Sequence, residues 1–262
     1  MSDTANGALL TGLVVSSEEN QLLAALPPEE FARLQPALEG LAFGLGDIVC
    51  EPGEEPAYVY FPTSCVVSLV YTTARGETAE MGLVGNEGAV GTALYLGGST
   101  MPNRAVVQIA GEALRMPATV LRKEFARGDA LQRLLLRYAQ ALLTQISQTA
   151  VCNRLHSVEQ RLCRWILLCH DRLNSNELQM TQEFIANMLG GRRQSVTMAA
   201  GRLQDAGLIQ YARGRIKILD RPGLETAVCE CYQVVRIEFE RLRKLDEHLS
   251  RSESAPVARD VP

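Results

Sequence analysis

Between residues 44 and 116 the hydrophobic positions fall in short runs of β-branched and aromatic residues. Tyr58-Val59-Tyr60-Phe61, Val66-Val67-Ser68-Leu69-Val70-Tyr71 and Ala105-Val106-Val107-Gln108-Ile109 are the clearest. Gly46-Asp47, Pro52-Gly53, Arg75-Gly76, Gly85-Asn86 and Gly97-Gly98 interrupt them. Short strands separated by turn chemistry at this spacing predict a sandwich or barrel. Residues 18–26 and 28–38, ahead of this region, read as helices, and Pro28 suits a first helical turn.

After Pro117 the spacing lengthens to three or four. Residues 130–154 contain no Gly or Pro, and Leu131, Leu135, Tyr138, Leu142, Gln145 or Ile146, and Cys152 share one predicted face. A helix of this length is either a core helix or half of a coiled coil with a second copy. The polar run Thr144, Gln145, Ser147, Gln148, Thr149 favours an interface with water or ligand at its later end. Residues 158–173 predict another helix, with Leu162, Trp165, Ile166 and Cys169 on one side, and Asn174-Ser175-Asn176 predicts a loop. Residues 224–249 predict a final helix with the stripe Leu224, Val228, Cys231, Val235, Phe239, Leu242 and Leu245. The polar tail 250–262 predicts disorder.

Composition narrows the class. The chain has 262 residues, 47% of them hydrophobic and 21% charged, which fits one or two globular domains and excludes fibrous or disordered chains. Arg133, Arg137, Arg154, Arg161 and Arg164 break the longest apolar stretch, so no membrane span of roughly 20 residues is expected. Residues 1–20 hold Asp3, Glu18 and Glu19 but no Lys or Arg, against a signal peptide, and a cytoplasmic location follows. Cys50, Cys65, Cys152, Cys163, Cys169, Cys229 and Cys231 are odd in number, which speaks against a disulfide framework. They read as small buried residues in a reducing compartment. Cys229-x-Cys231 and Cys169-His170 do not by themselves make a four-ligand pattern, so no metal site is expected. His156, His170 and His248 sit in no Ser/His/Asp or HExxH arrangement, so no catalytic site is expected either.

Charge supplies the first functional signal. The net charge is −4, but residues 1–128 carry 15 acids and 7 bases, whereas residues 192–217 carry six bases and only Asp205. A basic patch on an acidic chain suits one face turned to phosphate. The same segment has a recognisable layout. Thr181 is a good N-cap for a short helix over 182–189, Gly190-Gly191 allow a tight turn, and residues 192–206 form a second helix closed by Gly207. Its inward residues are Val196, Ala199, Ala200 and Leu203. Two strands around Ala212-Arg213-Gly214 complete a winged helix-turn-helix. The start of a recognition helix faces base edges, which makes Arg193, Gln194, Thr197 and Met198 the base-reading candidates. Thr181, Gln182, Arg192, Ser195 and Arg202, with Arg213, Arg215 and Lys217 on the wing, suit phosphate oxygens.

The stretch from Met180-Thr-Gln-Glu-Phe-Ile-Ala-Asn-Met-Leu-Gly-Gly-Arg-Arg-Gln-Ser-Val-Thr to Leu203-Gln-Asp-Ala-Gly-Leu-Ile resembles the Crp/Fnr family of bacterial transcription regulators. Gly46-Asp47, Glu51-Pro52-Gly53-Glu54, Tyr58-Val59-Tyr60 and Gly85-Asn86-Glu87-Gly88 follow the family's order in the sensor half. The resemblance covers about residues 20–220. It implies an α+β chain: a cyclic-nucleotide-binding-type β-roll with N-terminal helices (1–128), a long dimerisation helix (129–156), a winged helix-turn-helix (157–222), and an extra C-terminal helix and tail (223–262). The dimer face would be Leu131, Leu135, Tyr138, Leu142 and Gln145. The implied partners are pseudo-palindromic double-stranded DNA, a second copy of the chain, RNA polymerase and a small-molecule effector.

Arg193 falls on the family's guanine-reading position. Gln194 stands where Glu is common and Met198 where Arg is common, which implies a different half-site. Cyclic-nucleotide binders of the family hold the ribose with Gly-Glu-Leu and the phosphate with Arg-Ser or Arg-Thr. Here the corresponding stretch is Gly88-Ala89-Val90-Gly91-Thr92-Ala93, and Met101-Pro102 occupies the phosphate position. The resemblance therefore implies weak or absent cyclic AMP binding, and no cofactor is expected. No cysteine precedes Cys50, so the oxygen-sensing cluster pattern is missing, and no motif supports haem at Cys65, Cys152 or His156. The alternative function is a redox or small-molecule sensor, through Cys152 and Cys163, with DNA binding secondary.

Overall fold

The computed structural model describes residues 7–10, 17–173 and 175–253. Its first half contains β1 (Ala8–Leu9), α1 (Gln21–Ala24), α2 (Pro28–Leu34), β2 (Glu39–Phe43), β3 (Ile48–Cys50), β4 (Tyr58–Pro62), β5 (Val66–Thr72), β6 (Thr78–Val84), β7 (Arg104–Ile109) and β8 (Gly111–Pro117). Two four-stranded antiparallel sheets, ordered β1-β2-β8-β4 and β3-β7-β5-β6, share one apolar core. Then come α3 (Ala118–Phe125), α4 (Ala130–Leu155), α5 (Val158–His170), β9 (Glu177–Gln179), α6 (Gln182–Met188), α7 (Arg193–Asp205), β10 (Ile209–Ala212), β11 (Arg215–Ile218), α8 (Arg221–Ala227) and α9 (Glu230–Glu253). Mixed sheet and helix, roll first and winged helix last, is the architecture the sequence implies. The short strand β9 joins the wing as a third strand, in the order β10-β11-β9.

Period-two alternation in β5 explains how the two halves meet. Val67 and Leu69 point into the core of the roll, while Val66 joins the core of the C-terminal half, as does Leu83 of β6. Buried on both faces, the strand is covered continuously from Val66 to Val70 and is apolar there except at Ser68. On the outer face Ser68 Oγ donates to Glu80 Oε2 at 2.7 Å and lies 3.4 Å from Met188 Sδ, so α6 rests directly on the sensor sheet.

A buried polar chain joins the same elements. Arg172 contacts Glu87 Oε1 at 2.8 Å, and its other nitrogens donate to Leu168 O and Gln145 Oε1. Gln145 in turn donates to Leu83 O at 2.9 Å. Ser157 and Gln160 form a capping box that starts α5 immediately after α4 ends.

The structure corrects two expectations and adds one packing contact. Leu131, Leu135, Tyr138, Leu142 and Gln145 are buried within the chain itself, packed on the β-roll, so they present no face to a second copy. The face of α4 left in solvent carries Leu136, Gln140, Leu143, Ser147 and Ala150, with Val151 and Leu155 beside it. The final helix is two helices, because Val228 adopts extended backbone (φ −76°, ψ 155°) between α8 and α9. And α9 packs chiefly on α4, where Phe239 and Tyr138 stack with ring centroids 6.5 Å apart, and also on α5. Residues 1–6, 11–16, 174 and 254–262, with most of the predicted tail, lie outside the described residues.

Glu80 gives the domain contact a pH signature. Burial raises its carboxyl to about 7, outweighing the Ser68 hydrogen bond and the fields of Arg164 and Arg172. The folded state therefore binds more protons than the unfolded state between the unperturbed value of 4.5 and about 7. Stability should fall as pH rises through that window, by on the order of 3 kcal/mol, and level off above it. We expect Glu80→Gln to flatten this dependence and to be more stable than the parent at pH 8. Urea unfolding of both proteins at pH 5 and pH 8 tests it; parallel pH dependences would remove the assignment.

Candidate nucleic-acid interface

The local sequence dictates the helix-turn-helix. Thr181 Oγ1 accepts from Phe184 N and starts α6. Gly190 ends it with φ of +57°, a backbone that an L side chain rarely adopts, and Gly191 N then donates to Ala186 O at 2.9 Å. Gly207 closes α7 likewise at φ +72°, with Leu208 N donating to Leu203 O. Val196, Ala199, Ala200 and Leu203 turn inward as their spacing predicts. The wing turn places both Arg213 (φ 51°) and Gly214 (φ 75°) in the left-handed region, as a two-residue type I′ hairpin requires.

Three contacts draw these pieces together. Met180 N donates to Gly214 O at 2.7 Å, and Tyr211 Oη donates to Met180 O at 2.9 Å, which holds the wing against the start of α6. Thr197 Oγ1 donates to Gln182 Oε1 at 2.7 Å, which holds the first turns of α7 there too. The wing tip, the start of α6 and the start of α7 thus converge on Thr181-Gln182.

Arg192, Arg193 and Gln194 are exposed at the opening of α7, as are Arg213, Arg215 and Lys217 on the wing. None of these five cations forms an ion pair within the described residues. Arg192 caps α7 without a side-chain hydrogen bond, so the helix opens with unsatisfied amide hydrogens and a positive dipole end. Met198 is exposed beside them, and Ser195 is half-buried. Three candidates are engaged internally: the Thr197 hydroxyl points to Gln182 Oε1 and the Arg193 carbonyl, so Gln182 is occupied as well, and Thr181 is committed to its cap. Arg202 sits a turn from the far end of α7, 3.4 Å from Glu159. Uncompensated cations around an exposed helix start can neutralise phosphates while Arg193 and Gln194 reach base edges.

In the sensor half the position that the resemblance assigns to the phosphate is apolar. Met101 is fully buried, and Leu94 and Tyr95, in and after a one-turn 3-10 helix at Thr92–Leu94, belong to the same core. The nearby Arg104 is paired with Glu51 at 2.8 Å.

Residues 41–127 match the cyclic nucleotide-binding domain, and residues 160–227 match the Crp-like helix-turn-helix domain. The chain belongs to the Crp/Fnr family. It is a Crp/Fnr-type transcription regulator with a helix-turn-helix DNA-binding domain and a sensor domain. Among solved Crp/Fnr folds it resembles FixK2 from Bradyrhizobium japonicum, with a TM-score of 0.64, 16% identity, and coverage of 73% of this chain and 98% of that one. It also resembles a CRP/FNR family transcriptional regulator from Thermus thermophilus, with a TM-score of 0.57, 21% identity, and coverage of 72% and 97%. CLP, a c-di-GMP responsive global regulator from Xanthomonas campestris, gives a TM-score of 0.58 at 16% identity, over 74% and 100%. At these identities the likeness carries the fold alone. No curated protein matches the chain by sequence. No described helix is long and apolar enough to cross a membrane.

One group of residues escaped sequence reasoning. Cys152, His156, Cys229 and Cys231 come together where α4 ends and α9 begins. The pairs Cys-x3-His and Cys-x-Cys are the only local signal, and they lie about seventy-five residues apart.

Proposed function

We propose that this Crp/Fnr regulator works in the cytoplasm as a homodimer that reads a pseudo-palindromic DNA site and answers to a signal other than cyclic AMP. The carrying observation is the convergence of the wing, α6 and the start of α7 around unpaired arginines. Two such surfaces, brought together by the exposed 136-140-143-147-150 face of α4, would sit in successive major grooves about one helical turn apart. The alternation of four- and three-residue steps along that face is the spacing of a coiled-coil seam. Arg193 and Gln194 are the base readers, and Arg192, Arg213, Arg215 and Lys217 the phosphate contacts.

A buried Met101, in the same apolar core as Leu94 and Tyr95, supports the second half of the proposal. A cyclic phosphate there would lose its hydration without gaining a cationic partner. The role is regulatory rather than catalytic: the imidazole of His170 bonds Asn176 and Arg221, which ties α5 to the loop and to α8.

The test is selection of genomic fragments by the purified chain with and without cyclic AMP. We expect a two-fold symmetric sequence in both samples, with half-sites one turn apart. Tenfold tighter binding with cyclic AMP would refute the sensor reading; an enriched sequence without symmetry would refute the dimer.

A further inference from the structure

We infer that Cys152, His156, Cys229 and Cys231 form a closed four-coordinate site for one thiophilic divalent cation of the zinc class, clamping the start of α9 to the end of α4. Cys152 lies in the last turn of α4, and His156 caps that helix four residues on, its N–H donating to Cys152 O at 3.1 Å, which keeps the two side by side. Cys229 and Cys231 arrive from the break between α8 and α9, where the extended backbone at Val228 swings the chain toward them.

The distances suit a single ion. All four ligand atoms lie within 4.8 Å of one another. Cys152 Sγ and Cys229 Sγ are 3.6 Å apart, and Cys231 Sγ and His156 Nδ1 are also 3.6 Å apart. A tetrahedral zinc with bonds of about 2.3 Å to sulfur and about 2.0–2.1 Å to nitrogen sets ligand atoms roughly 3.5–3.8 Å apart. An iron–sulfur cluster spreads its thiolates over several metal atoms and would need wider spacing. A disulfide needs its sulfurs at about 2.05 Å and would use only two of the four groups.

The surroundings fit as well. The three cysteines form a small cluster of their own, apart from the two large cores in which Cys50, Cys65, Cys163 and Cys169 sit as ordinary apolar residues. With Nδ1 turned to the cluster, His156 directs Nε2 toward Glu230 Oε1 at 3.3 Å. A carboxylate on the outer ring nitrogen is the usual way a metal-bound histidine is oriented. Arg161 and Arg164 are buried on the adjacent helix and form no ion pair among the described residues. Arg161 Nε and Arg164 Nε and Nη1 have no hydrogen-bond partner there. Three thiolates, one imidazole and a dication carry a net charge of −1, which would compensate guanidinium groups otherwise costly to bury.

Four protein ligands leave no open position, so the site is structural rather than catalytic. It fastens α9 beside the α4–α5 junction, the link between sensor and DNA-binding domain.

The test uses the full chain, purified without chelator, with metal measured by elemental analysis and acid-labile sulfide assayed alongside. We expect one zinc per chain, retained in Cys50→Ala and lost in Cys229→Ser and Cys231→Ser. Because those variants could misfold, chelated parent protein is also titrated with cobalt(II) under reductant. One equivalent should give the visible bands of a tetrahedral ion with thiolate charge transfer, and zinc should displace it. The proposal is overturned by parent protein that shows no tetrahedral cobalt spectrum. Iron with sulfide, or a Cys152–Cys229 disulfide found by mass spectrometry in place of metal, would overturn it equally.

Discussion

Arg193→Ala is expected to abolish sequence preference while leaving the fold intact. The side chain is exposed at the first turn of α7 and makes no ion pair among the described residues, so the substitution disturbs no core contact. A bidentate arginine–guanine pair is worth about 1–3 kcal/mol of discrimination. The proposed dimer would make that contact twice, so the expected loss is about 2–6 kcal/mol, roughly thirtyfold or more in specific affinity. Lys217→Ala serves as the contrast: a wing contact to phosphate should weaken all sequences alike and lower the slope of affinity against salt. Competition binding at two salt concentrations separates the patterns. Undiminished discrimination by Arg193→Ala would move base reading to another residue.

Charging the exposed face of α4 should separate the subunits of the proposed dimer. Leu143 is 55% exposed in the single chain and Leu136 45%, so their burial can come only from another surface. Leu136→Glu with Leu143→Glu would set like charges against each other across a two-fold seam. We expect a folded monomer with normal helix content and no protection of a two-fold site, as read by sedimentation and footprinting. Leu142→Ala, one residue away, should behave differently. Leu142 is 5% exposed and packs on the β-roll, so its truncation should cost about 2–5 kcal/mol of stability without dissociating the folded dimer. If Leu142→Ala dissociates the dimer and the double glutamate variant does not, the seam lies on the face first read from the spacing.

These contrasts mark what the sequence made legible. The helix-turn-helix was plain because each boundary has a local chemical cause: Thr181 caps, Gly190 and Gly207 take positive φ, and Val196, Ala199, Ala200 and Leu203 keep one inward period. The strands of the roll were legible from β-branched runs between turn pairs. The apolar face of α4 was legible as well, since Leu131, Leu135, Tyr138, Leu142, Gln145 and Cys152 are all buried; what covers it was not, because spacing alone does not say whether a sheet or a second copy meets it. The break at Val228 was hidden as well, because Val228 carries no helix-breaking side chain and sits inside an unbroken apolar stripe. Gln145 looked like an interface residue because it is polar; its partners, Arg172 and Leu83, come from distant parts of the chain. The cysteine and histidine group was invisible for the same reason.

Phe239 packs against both large cores, over Tyr138 on one side and beneath the Arg172 guanidinium, 5.6 Å from its ring, on the other. One aromatic ring on the last helix is therefore shared by halves that the domain matches treat as separate units. Those halves are poor material for module exchange. A chimera carrying this β-roll on a foreign reader would bare Tyr138 together with Val66 and Leu83, and a foreign sensor grafted onto residues 157–227 would lack the helix that roofs Arg172. Exchange would have to move α9 together with the sensor's outer sheet, and so its natural cut does not coincide with the junction of α4 and α5.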